Sequence, residues 1–292
     1  MMITIFTATY NRADTLLRAY QSLKNQTLDN FEWIIVDDGS TDETEALVKT
    51  FNTGKFKIHY FKQENKGKHF AINKGVSVAK GDLFFILDSD DYLPNNALEL
   101  IVNNLKTTIN KESFGGVVGR KSHFDNNIVG SINSFETIVS NAVDIRYVHK
   151  IEGDLTEVHY TKVLKEFPFP EIKNEKFCPE ALVWNRIAQK YQMLYFNESI
   201  YNCEYLPDGL TSKIVKIRRE SPIATMLCYS ELATYKIPLL QKLKAIINFW
   251  RFAFCCKTIY FSKKLNMVSY LASIFLIPIG LFFYFNDSKN NK

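Results

Sequence analysis

The sequence predicts an α/β protein in which a mostly parallel central sheet is flanked by helices. Apolar, β-branched runs that are typical of strands alternate with segments whose apolar residues lie three or four positions apart, as in helices. The predicted strands are 3–8, 31–36, 58–61 and 83–87. The first predicted helix follows Asp14, which caps its N-terminus. The others are 41–51, 69–79, which Gly81 terminates, and 95–106. The continuously apolar strand 83–87 is expected at the centre of the sheet.

Polar motifs follow three of these strands directly. Because ligands bind beyond the carboxyl ends of strands in open α/β sheets, we expect Thr7–Arg12, Asp37–Ser40 and Asp88–Asp91 to surround one crevice. The pattern is weaker further along the chain. There we predict strands at 114–119 and 145–149, a helix at 179–191, and one or two strands within 193–205.

Composition and charge indicate a folded enzyme joined to a basic segment. Hydrophobic residues make up 46% of the chain, and five cysteines without a CxxC pair favour a reducing cytoplasm over disulfides or zinc. No secretory signal pattern opens the chain, so we expect the catalytic part in the cytoplasm. Residues 1–212 carry a net charge of −5, whereas 213–264 carry +9, which favours an anionic partner for the second part.

The strongest chemical signal is the acidic segment Asp88-Ser89-Asp90-Asp91, which places three carboxylates after a buried strand. Their mutual repulsion requires a cation or hydrogen bonds nearby, and carboxylates with substrate phosphates suit Mg²⁺ or Mn²⁺. A solvated acidic loop that only caps the next helix is an equally good interpretation of this segment alone.

Two further motifs lie at the ends of the first two strands. In Asp37-Asp38-Gly39-Ser40, one carboxylate can reach a base or ribose while the glycine allows a tight turn. In the segment Thr7–Arg12, the ring of Tyr10 can stack on a nucleobase. A plain capped turn and a core tyrosine are the competing interpretations.

Taken together, these motifs resemble those of the family 2 glycosyltransferases. The shared features are the Tyr10-Asn11-Arg12 turn, the 36–42 segment Val-Asp-Asp-Gly-Ser-Thr-Asp, the 67–75 segment Gly-Lys-His-Phe-Ala-Ile-Asn-Lys-Gly, and Leu87–Asp91. The resemblance is dense over residues 2–105 and looser over 160–205. It implies a GT-A fold with a catalytic domain at 1–212, whose halves 1–105 and 106–212 bind the nucleotide-sugar and the acceptor.

The resemblance also implies roles for individual residues. The base of a nucleotide-sugar, with UDP favoured, would be held by the first turn and Asp38, and Lys68 would lie near the diphosphate. Asp88 would face the ribose or sugar, and Asp90 would bind Mn²⁺ or Mg²⁺ with Asp88 as the second metal ligand. The full set expected at the donor is Thr7, Ala8, Thr9, Tyr10, Arg12, Asp38, Lys68, Asn73, Asp88 and Ser89. Ala8 replaces a proline that is common in the family.

An inverting transferase also needs a general base for the acceptor hydroxyl. In the family the base lies in an acidic pair six residues before an arginine, and Glu180 occupies that position relative to Arg186. Here the pair is Pro-Glu. In the alternative interpretation Glu180 is not a base, and its negative charge only interacts favourably with the dipole at the helix N-terminus. Trp184 and Asp208 are expected at the acceptor pocket, although Asp208 also fits a simple Pro-Asp-Gly turn.

The region 213–292 is predicted to associate with a membrane. Leu240, Leu243, Ile247, Trp250 and Phe254 share one face of a basic helix, which suits an anionic membrane surface or packing on the protein's own core. Residues 268–285 are mostly apolar and are nearly long enough to span a bilayer, with Pro278 and Gly280 inside. Spanning and in-plane arrangements both remain open.

The predicted function is therefore inverting transfer of a sugar to a lipid-linked glycan acceptor at the cytoplasmic face of the membrane, in cell-surface polysaccharide synthesis. Nucleic acid is not expected as a partner, because the basic stretch adjoins an apolar run. The alternatives are a sugar-nucleotide pyrophosphorylase, whose glycine-rich loop is missing after the first strand, and a non-catalytic nucleotide-binding membrane scaffold.

Overall fold

The computed structural model describes residues 1–52, 54–106, 112–130, 135–204 and 213–290. The chain divides into two compact units: unit 1 comprises Met1–Phe169 and Arg186–Glu204, and unit 2 comprises Pro170–Asn185 and Tyr205–Lys292. Residues 170–185 therefore group with the C-terminal part of the chain, whereas the sequence placed them in the catalytic domain.

Unit 1 is built on one eight-stranded sheet in the order β3-β2-β1-β4-β7-β5-β8-β6. The strands are β1 (Ile3–Thr9), β2 (Phe31–Asp37), β3 (Lys57–Lys62), β4 (Leu83–Ile86), β5 (Phe114–His123), β6 (Thr137–Ser140), β7 (Leu155–Tyr160) and β8 (Gln192–Cys203). β1 pairs in parallel with both β2 and β4, and β2 pairs in parallel with β3. The three strand ends that carry the polar motifs therefore meet at one edge, as predicted.

The other half of the sheet is mixed. β5 and β8 are parallel, whereas β7 runs antiparallel to both β4 and β5, and β6 runs antiparallel to β8. The α/β class is confirmed, and the parallel arrangement dominates only in the half that contains the polar motifs.

The helices of unit 1 confirm most of the sequence-based expectations. They are α1 (Leu16–Lys24), α2 (Thr44–Lys49), α3 (Lys68–Val78), α4 (Ala97–Lys106), α5 (Asp144–Tyr147) and α6 (Thr161–Glu166), and α7 (Glu180–Ile187) crosses the division between the units. Two predicted capping residues are wrong. Thr15 rather than Asp14 precedes α1, without a side-chain cap, and Ala79 rather than Gly81 caps α3, which ends at Val78.

The predicted strand at 145–149 is also wrong, because this segment contains α5. The side-chain oxygen of Asn141 accepts hydrogen bonds from the N–H groups of Val143 and Asp144, at 3.0 and 2.9 Å. Such a local bond starts a helical turn and overrides the strand preference of the apolar residues that follow.

Unit 2 is helical in its described part. After residue 212 it contains α8 (Ile214–Glu220), α9 (Pro222–Thr234), α10 (Leu239–Ala253), α11 (Phe261–Leu265) and α12 (Tyr270–Asn290). The carboxylate of Glu175 accepts hydrogen bonds from Ile223 and Ala224 at the start of α9, at 2.7 and 2.8 Å. This contact satisfies N–H groups that a helix leaves unpaired in its first turn.

The face predicted for α10 coincides with its buried side only at Trp250, and Leu243, Ile247 and Phe254 are half-buried. The other buried residues of α10 are Ala245, Ile246, Phe249, Phe252 and Ala253. Trp250 is fully buried, its indole N–H donates to Ser273 Oγ on α12 at 3.1 Å, and Leu240 is exposed. Trp250 therefore packs on the protein's own core, which is one of the two interpretations of this face, and membrane association of the region stays a prediction. α12 is long and apolar enough to cross a membrane by length and composition, with a mean hydropathy of 1.4 over Tyr270–Lys289 and 17% of that window buried.

A buried histidine of β7 makes the stability of unit 1 depend on pH. His159 is 3% exposed, and burial lowers its pKa from the ordinary 6.5 to about 3. Between those two values the unfolded chain binds a proton that the folded chain does not, so stability falls as the pH decreases. From pH 7 to pH 5 we expect His159 to cost about 2 kcal/mol of unfolding free energy.

Chemical denaturation of the wild type and His159→Gln at both pH values measures this loss. The variant should be less stable at neutral pH but less sensitive to acid, whereas His149→Gln, at an exposed position, should retain the wild-type pH dependence. An unchanged acid sensitivity in His159→Gln would contradict the interpretation.

Candidate active site

The segment Asp88–Asp91, called here the acidic loop, lies at the carboxyl end of β4. Its position is fixed from both sides: the N–H of Leu87 donates to the carbonyl of Phe6 on β1, and the backbones of Tyr92 and Asn202 exchange two hydrogen bonds at 3.1 and 2.8 Å. The loop is therefore held between β1 and the end of β8.

A buried tyrosine of β8 organises the acidic loop. The hydroxyl of Tyr201 accepts a hydrogen bond from the N–H of Asp88 and donates one to Asp91 Oδ2, both at 2.9 Å. The Nζ of Lys121 lies 4.4 Å from the centre of the Tyr201 ring. One side chain thus fixes the backbone at the start of the loop and one carboxylate at its end.

Positive charges offset the crowding of these carboxylates. Lys68 Nζ lies 2.6 Å from Asp88 Oδ1, and an Arg12 guanidinium nitrogen lies 3.7 Å from Asp90 Oδ2. Although burial opposes the effect, the charges of Lys68 and Lys121 hold the pKa of Asp88 below its usual value. Burial, together with the charge of Asp88, raises the pKa of Asp91 to about 7, so protonation of Asp91 relieves part of the repulsion.

The turn after β1 presents an aromatic ring beside these charges. Asn11 adopts a φ of 51°, its N–H donates to Ser40 Oγ, and its side-chain oxygen accepts from the N–H of Thr41, both at 2.8 Å. These bonds tie the turn to the segment after β2. The Tyr10 ring is 48% exposed, which excludes a core role and leaves its face available for stacking.

The two aspartates after β2 are fully engaged with the protein. Asp37 accepts from the Ser40 N–H at 2.6 Å and the Tyr60 hydroxyl at 2.5 Å. Between them, the oxygens of Asp38 accept three hydrogen bonds from Gln63, Lys66 and Gly67, at 2.7–2.9 Å. Asp38 is therefore, first of all, the anchor of the loop that leads to Lys68. Gly39, with a φ of 89°, permits the turn.

The side chains of two residues expected at the donor form hydrogen bonds within unit 1, and their donor roles stay predictions. Thr7 is fully buried, and its Oγ1 accepts the indole N–H of Trp33 at 3.0 Å. The side-chain amide of Asn73 exchanges two 2.9 Å hydrogen bonds with the backbone of Phe169. Both side chains therefore stabilise unit 1. Among the other expected donor residues, Thr9 and Ser89 are buried and Ala8 is half-buried.

The residues predicted for the acceptor belong to unit 2. Glu180 is the first residue of α7 and is half-buried, whereas Trp184 is buried at 8% exposure. Asp208 lies outside the described residues. The roles of these residues remain predictions.

The acidic loop has the oxygen ligands that a hard divalent cation prefers. About a third of each side chain, 35% for Asp88 and 34% for Asp90, is accessible to solvent. Within the described ranges, no group of three or more Asp, Glu, His or Cys side chains is placed to hold a metal alone. The residues fit Mg²⁺ or Mn²⁺ only in the way typical of phosphate-bound metals, where one or two carboxylates share the ion with substrate phosphates.

Comparison with known families identifies the chain. The family model described as Glycosyl transferase family 2 matches residues 4–177, more than half of the sequence. The chain belongs to glycosyltransferase family 2. This assignment confirms the resemblance based on the motifs and favours a transferase over a pyrophosphorylase.

Curated glycosyltransferases and a chondroitin synthase match parts of the chain. An uncharacterised glycosyltransferase of Haemophilus influenzae is 27% identical over 187 residues, which cover 61% of this chain and 69% of the relative. Glycosyltransferase GlyG of Streptococcus pneumoniae is 35% identical over 36% of this chain and 35% of its own length. Chondroitin synthase of Escherichia coli is 32% identical over 36% of this chain and 15% of its own. The first curated relatives are matched over only 14–35% of their length.

Solved structures confirm the GT-A-type fold of this family 2 chain. S. aureus TarS 1–349 in complex with UDP superposes with a TM-score of 0.66 at 17% identity, covering 99% of this chain and 89% of that one. The mannosyltransferase PcManGT from Pyrobaculum calidifontis, in complex with GDP-Man and Mn²⁺, gives 0.57 at 16% identity, with 96% and 82% covered.

Sequence reasoning missed Tyr201, the residue that orders the acidic loop. It lies 110 positions from Asp91, within a strand where aromatic residues are common, and nothing local marks its hydroxyl as different. A buried tyrosine generally needs a hydrogen-bond partner. That requirement is the only sequence-level reason to pair it with the acidic segment.

We expect Tyr201→Phe to destabilise unit 1 and to weaken nucleotide binding. The substitution leaves a buried Asp91 carboxyl and the Asp88 N–H without their partner, which costs about 1–3 kcal/mol of unfolding free energy. Chemical denaturation and calorimetric titration with UDP measure the two effects.

Tyr195→Phe is the matched control, because Tyr195 is equally buried on β8 and its hydroxyl bonds to no described residue. It should cost less than Tyr201→Phe and leave UDP binding intact. Equal effects of the two substitutions would show that the acidic loop does not depend on Tyr201.

Proposed function

We propose that this chain is an inverting, metal-dependent glycosyltransferase that moves a sugar from a nucleotide-sugar, with UDP as the favoured nucleotide, to a lipid-linked saccharide or glycan acceptor. The observation that carries the proposal is the placement of the acidic loop beside Lys68, Arg12 and the exposed Tyr10 ring at one edge of the sheet. Complexes of fold neighbours with UDP, UDP-GlcNAc and GDP-Man with Mn²⁺ support it.

The donor half of the reaction follows from this arrangement. The Tyr10 face stacks on the base, and Lys68 and Arg12 supply positive charge for the diphosphate. When Asp90, with Asp88, holds Mn²⁺ or Mg²⁺, the ion provides Lewis-acid stabilisation of the leaving diphosphate. In this chain Lys68 and Arg12 contact the same carboxylates, so they also preserve the loop's geometry when no donor is bound.

The acceptor half depends on Glu180. As general base it takes the proton of the acceptor hydroxyl while the oxygen attacks the anomeric carbon, and the nucleoside diphosphate leaves from the opposite face. One displacement inverts the configuration, so an α-linked donor gives a β-linked product. No covalent sugar–enzyme intermediate is required.

We further propose that the protein works at the cytoplasmic face of the cell membrane and serves cell-surface polysaccharide synthesis. The support is the net charge of +9 over residues 213–264 and the apolar, mostly exposed helix α12. A protein attached in this way acts where a lipid-linked acceptor is found.

Glu180→Gln tests the transfer reaction directly. The detergent-extracted protein is incubated with UDP-, GDP-, dTDP- and CMP-sugars and with a membrane lipid extract as the source of acceptor. Each mixture contains either Mn²⁺ or EDTA. Nucleotide release and incorporation of sugar into the extract are measured. One donor should turn over with metal only, and Glu180→Gln should lower its transfer rate about 100-fold or more while UDP affinity is unchanged.

Glu171→Gln, which changes an exposed carboxylate of the same unit, is the control and should remain active. Full transfer by Glu180→Gln would remove it as the base. Metal-dependent binding of UDP without transfer from any donor would favour the nucleotide-binding scaffold.

A further inference from the structure

Unit 2 contains an open cavity of about 340 Å³ whose charged lining residues are mostly basic. Lys216 and Arg219 of α8 and Lys257, after α10, contribute three positive charges, and Glu220 contributes one negative charge. The rings of Phe254 and Tyr284 form an aromatic wall. The combination of excess positive charge and aromatic surface is typical of a site for an anionic group attached to an apolar one.

The basic side chains of the cavity differ in how they are bonded to the rest of the protein. The Arg219 guanidinium donates to the Tyr284 carbonyl at 3.0 Å and to Ser288 Oγ at 2.7 Å, which fixes its position. It also lies 3.7 Å from a carboxylate oxygen of Asp287, which offsets part of its charge and leaves the two lysines as the main source of positive charge. Lys216 and Lys257 are exposed, and neither forms an ion pair with a residue in the described part of the chain. Two ammonium groups beside a fixed guanidinium suit a phosphate, which accepts several charge-assisted hydrogen bonds.

The aromatic wall continues into an exposed apolar surface. The Tyr284 ring lies 5.8 Å from Phe254 inside the cavity and 5.3 Å from Phe285, which is 55% exposed. Other large apolar side chains of α12 are more exposed still, including Phe282 at 66% and Phe275 at 74%. A ligand that combines a phosphate with hydrocarbon matches both surfaces, whereas a free phosphate matches only the cavity.

The way α12 is held indicates its orientation to a lipid layer. Asp287 is buried and forms a bidentate pair with Arg251 of α10 at 2.6 and 2.7 Å, and a side chain at Gly280 would lie 2.6 Å from Trp250 Cβ. α12 therefore contacts α10 along much of its length. Spanning a bilayer in this arrangement would carry the charged residues of α10 into the hydrocarbon, which is costly.

We propose that this cavity binds the phosphate group of an anionic membrane lipid while the exposed face of α12 lies in the plane of the membrane interface. The inference rests on the proposed membrane location and specifies the group that is recognised there. Lys216 and Lys257 bind the phosphate oxygens, Arg219 holds the floor of the site, and Phe275 and Phe282 enter the acyl boundary.

The test is vesicle binding by the full chain. Phosphatidylcholine vesicles are compared with vesicles that also contain phosphatidylglycerol, using the wild type and the double variants Lys216→Ala/Lys257→Ala and Lys242→Ala/Lys244→Ala. The control pair removes the same charge from the first half of α10, outside the cavity lining. We expect the cavity pair to lower affinity for the anionic vesicles about tenfold or more, and the control pair to lower it much less.

The apolar face and the ligand source are tested separately. Phe275→Ser/Phe282→Ser should weaken binding to both kinds of vesicle, and calorimetry with inorganic phosphate should show no binding comparable to that of the lipid. Equal losses for the two lysine pairs would mean diffuse electrostatics and overturn the site. Phosphate binding with unchanged vesicle affinity in the cavity variant, or no vesicle binding by the wild type, would overturn the lipid proposal.

UDP titration of each variant in detergent keeps this result distinct from the glycosyltransferase proposal. Lys216 and Lys257 lie outside the donor site, so the cavity variant should bind UDP as the wild type does. Retained UDP binding also shows that unit 1 of the variant is folded.

Discussion

Three carboxylates within four residues must be kept together at the end of β4, and much of unit 1 is arranged around that constraint. Left alone, they would repel one another and push the loop towards solvent. The Tyr201 hydroxyl fixes the loop backbone and one carboxyl group, and Lys68 and Arg12 lie beside the other two. The raised pKa of Asp91 reduces the remaining charge. The loop thus keeps two accessible carboxylates without needing a bound ion to stay folded.

The same arrangement explains why distant segments are mutually dependent. Lys68 reaches Asp88 because Asp38 anchors the preceding loop, and Asp38 is placed by the end of β2. Tyr201 reaches the loop because β8 runs beside β5 and its end bonds to Tyr92. Both carboxylate oxygens of Asp38 accept hydrogen bonds from the protein itself. A residue of a family motif can therefore have a structural role in addition to any role in ligand binding.

The sequence was most informative where local pattern and chemistry coincide. Segments 31–36 and 83–87 are apolar because they form buried strands, and such a run is visible within a few consecutive residues. The strands and the polar residues at their ends were therefore predicted correctly. The pattern failed where one side chain decides the outcome, as with Asn141, whose local hydrogen bonds form a helix in a strand-like segment. It could not indicate the partners of Asn73 and Tyr201, which lie 96 and more than 100 residues away.

The C-terminal segment shows a related limit. Of the face predicted for α10, Trp250 is buried but Leu240 is exposed, because periodicity does not state which neighbours cover a helix. The structure covers Trp250 with α12 and leaves the opposite side of α12 exposed. An amphipathic pattern therefore fixes the orientation of a helix only after its neighbours are known.

The proposed function depends above all on binding of a nucleotide diphosphate together with a divalent cation by the acidic loop. The most direct test is calorimetric titration of UDP into the wild type, Asp90→Asn and Asp125→Asn, each with Mn²⁺ or EDTA. Asp125 lies in an exposed turn and serves as the matched control. We expect metal-dependent UDP binding by the wild type and the control. In Asp90→Asn we expect affinity to fall about tenfold or more, which corresponds to about 1.4 kcal/mol or more, because a metal ligand is lost. UDP binding that is equally tight with EDTA and in Asp90→Asn, or no UDP binding at all, would contradict this proposal.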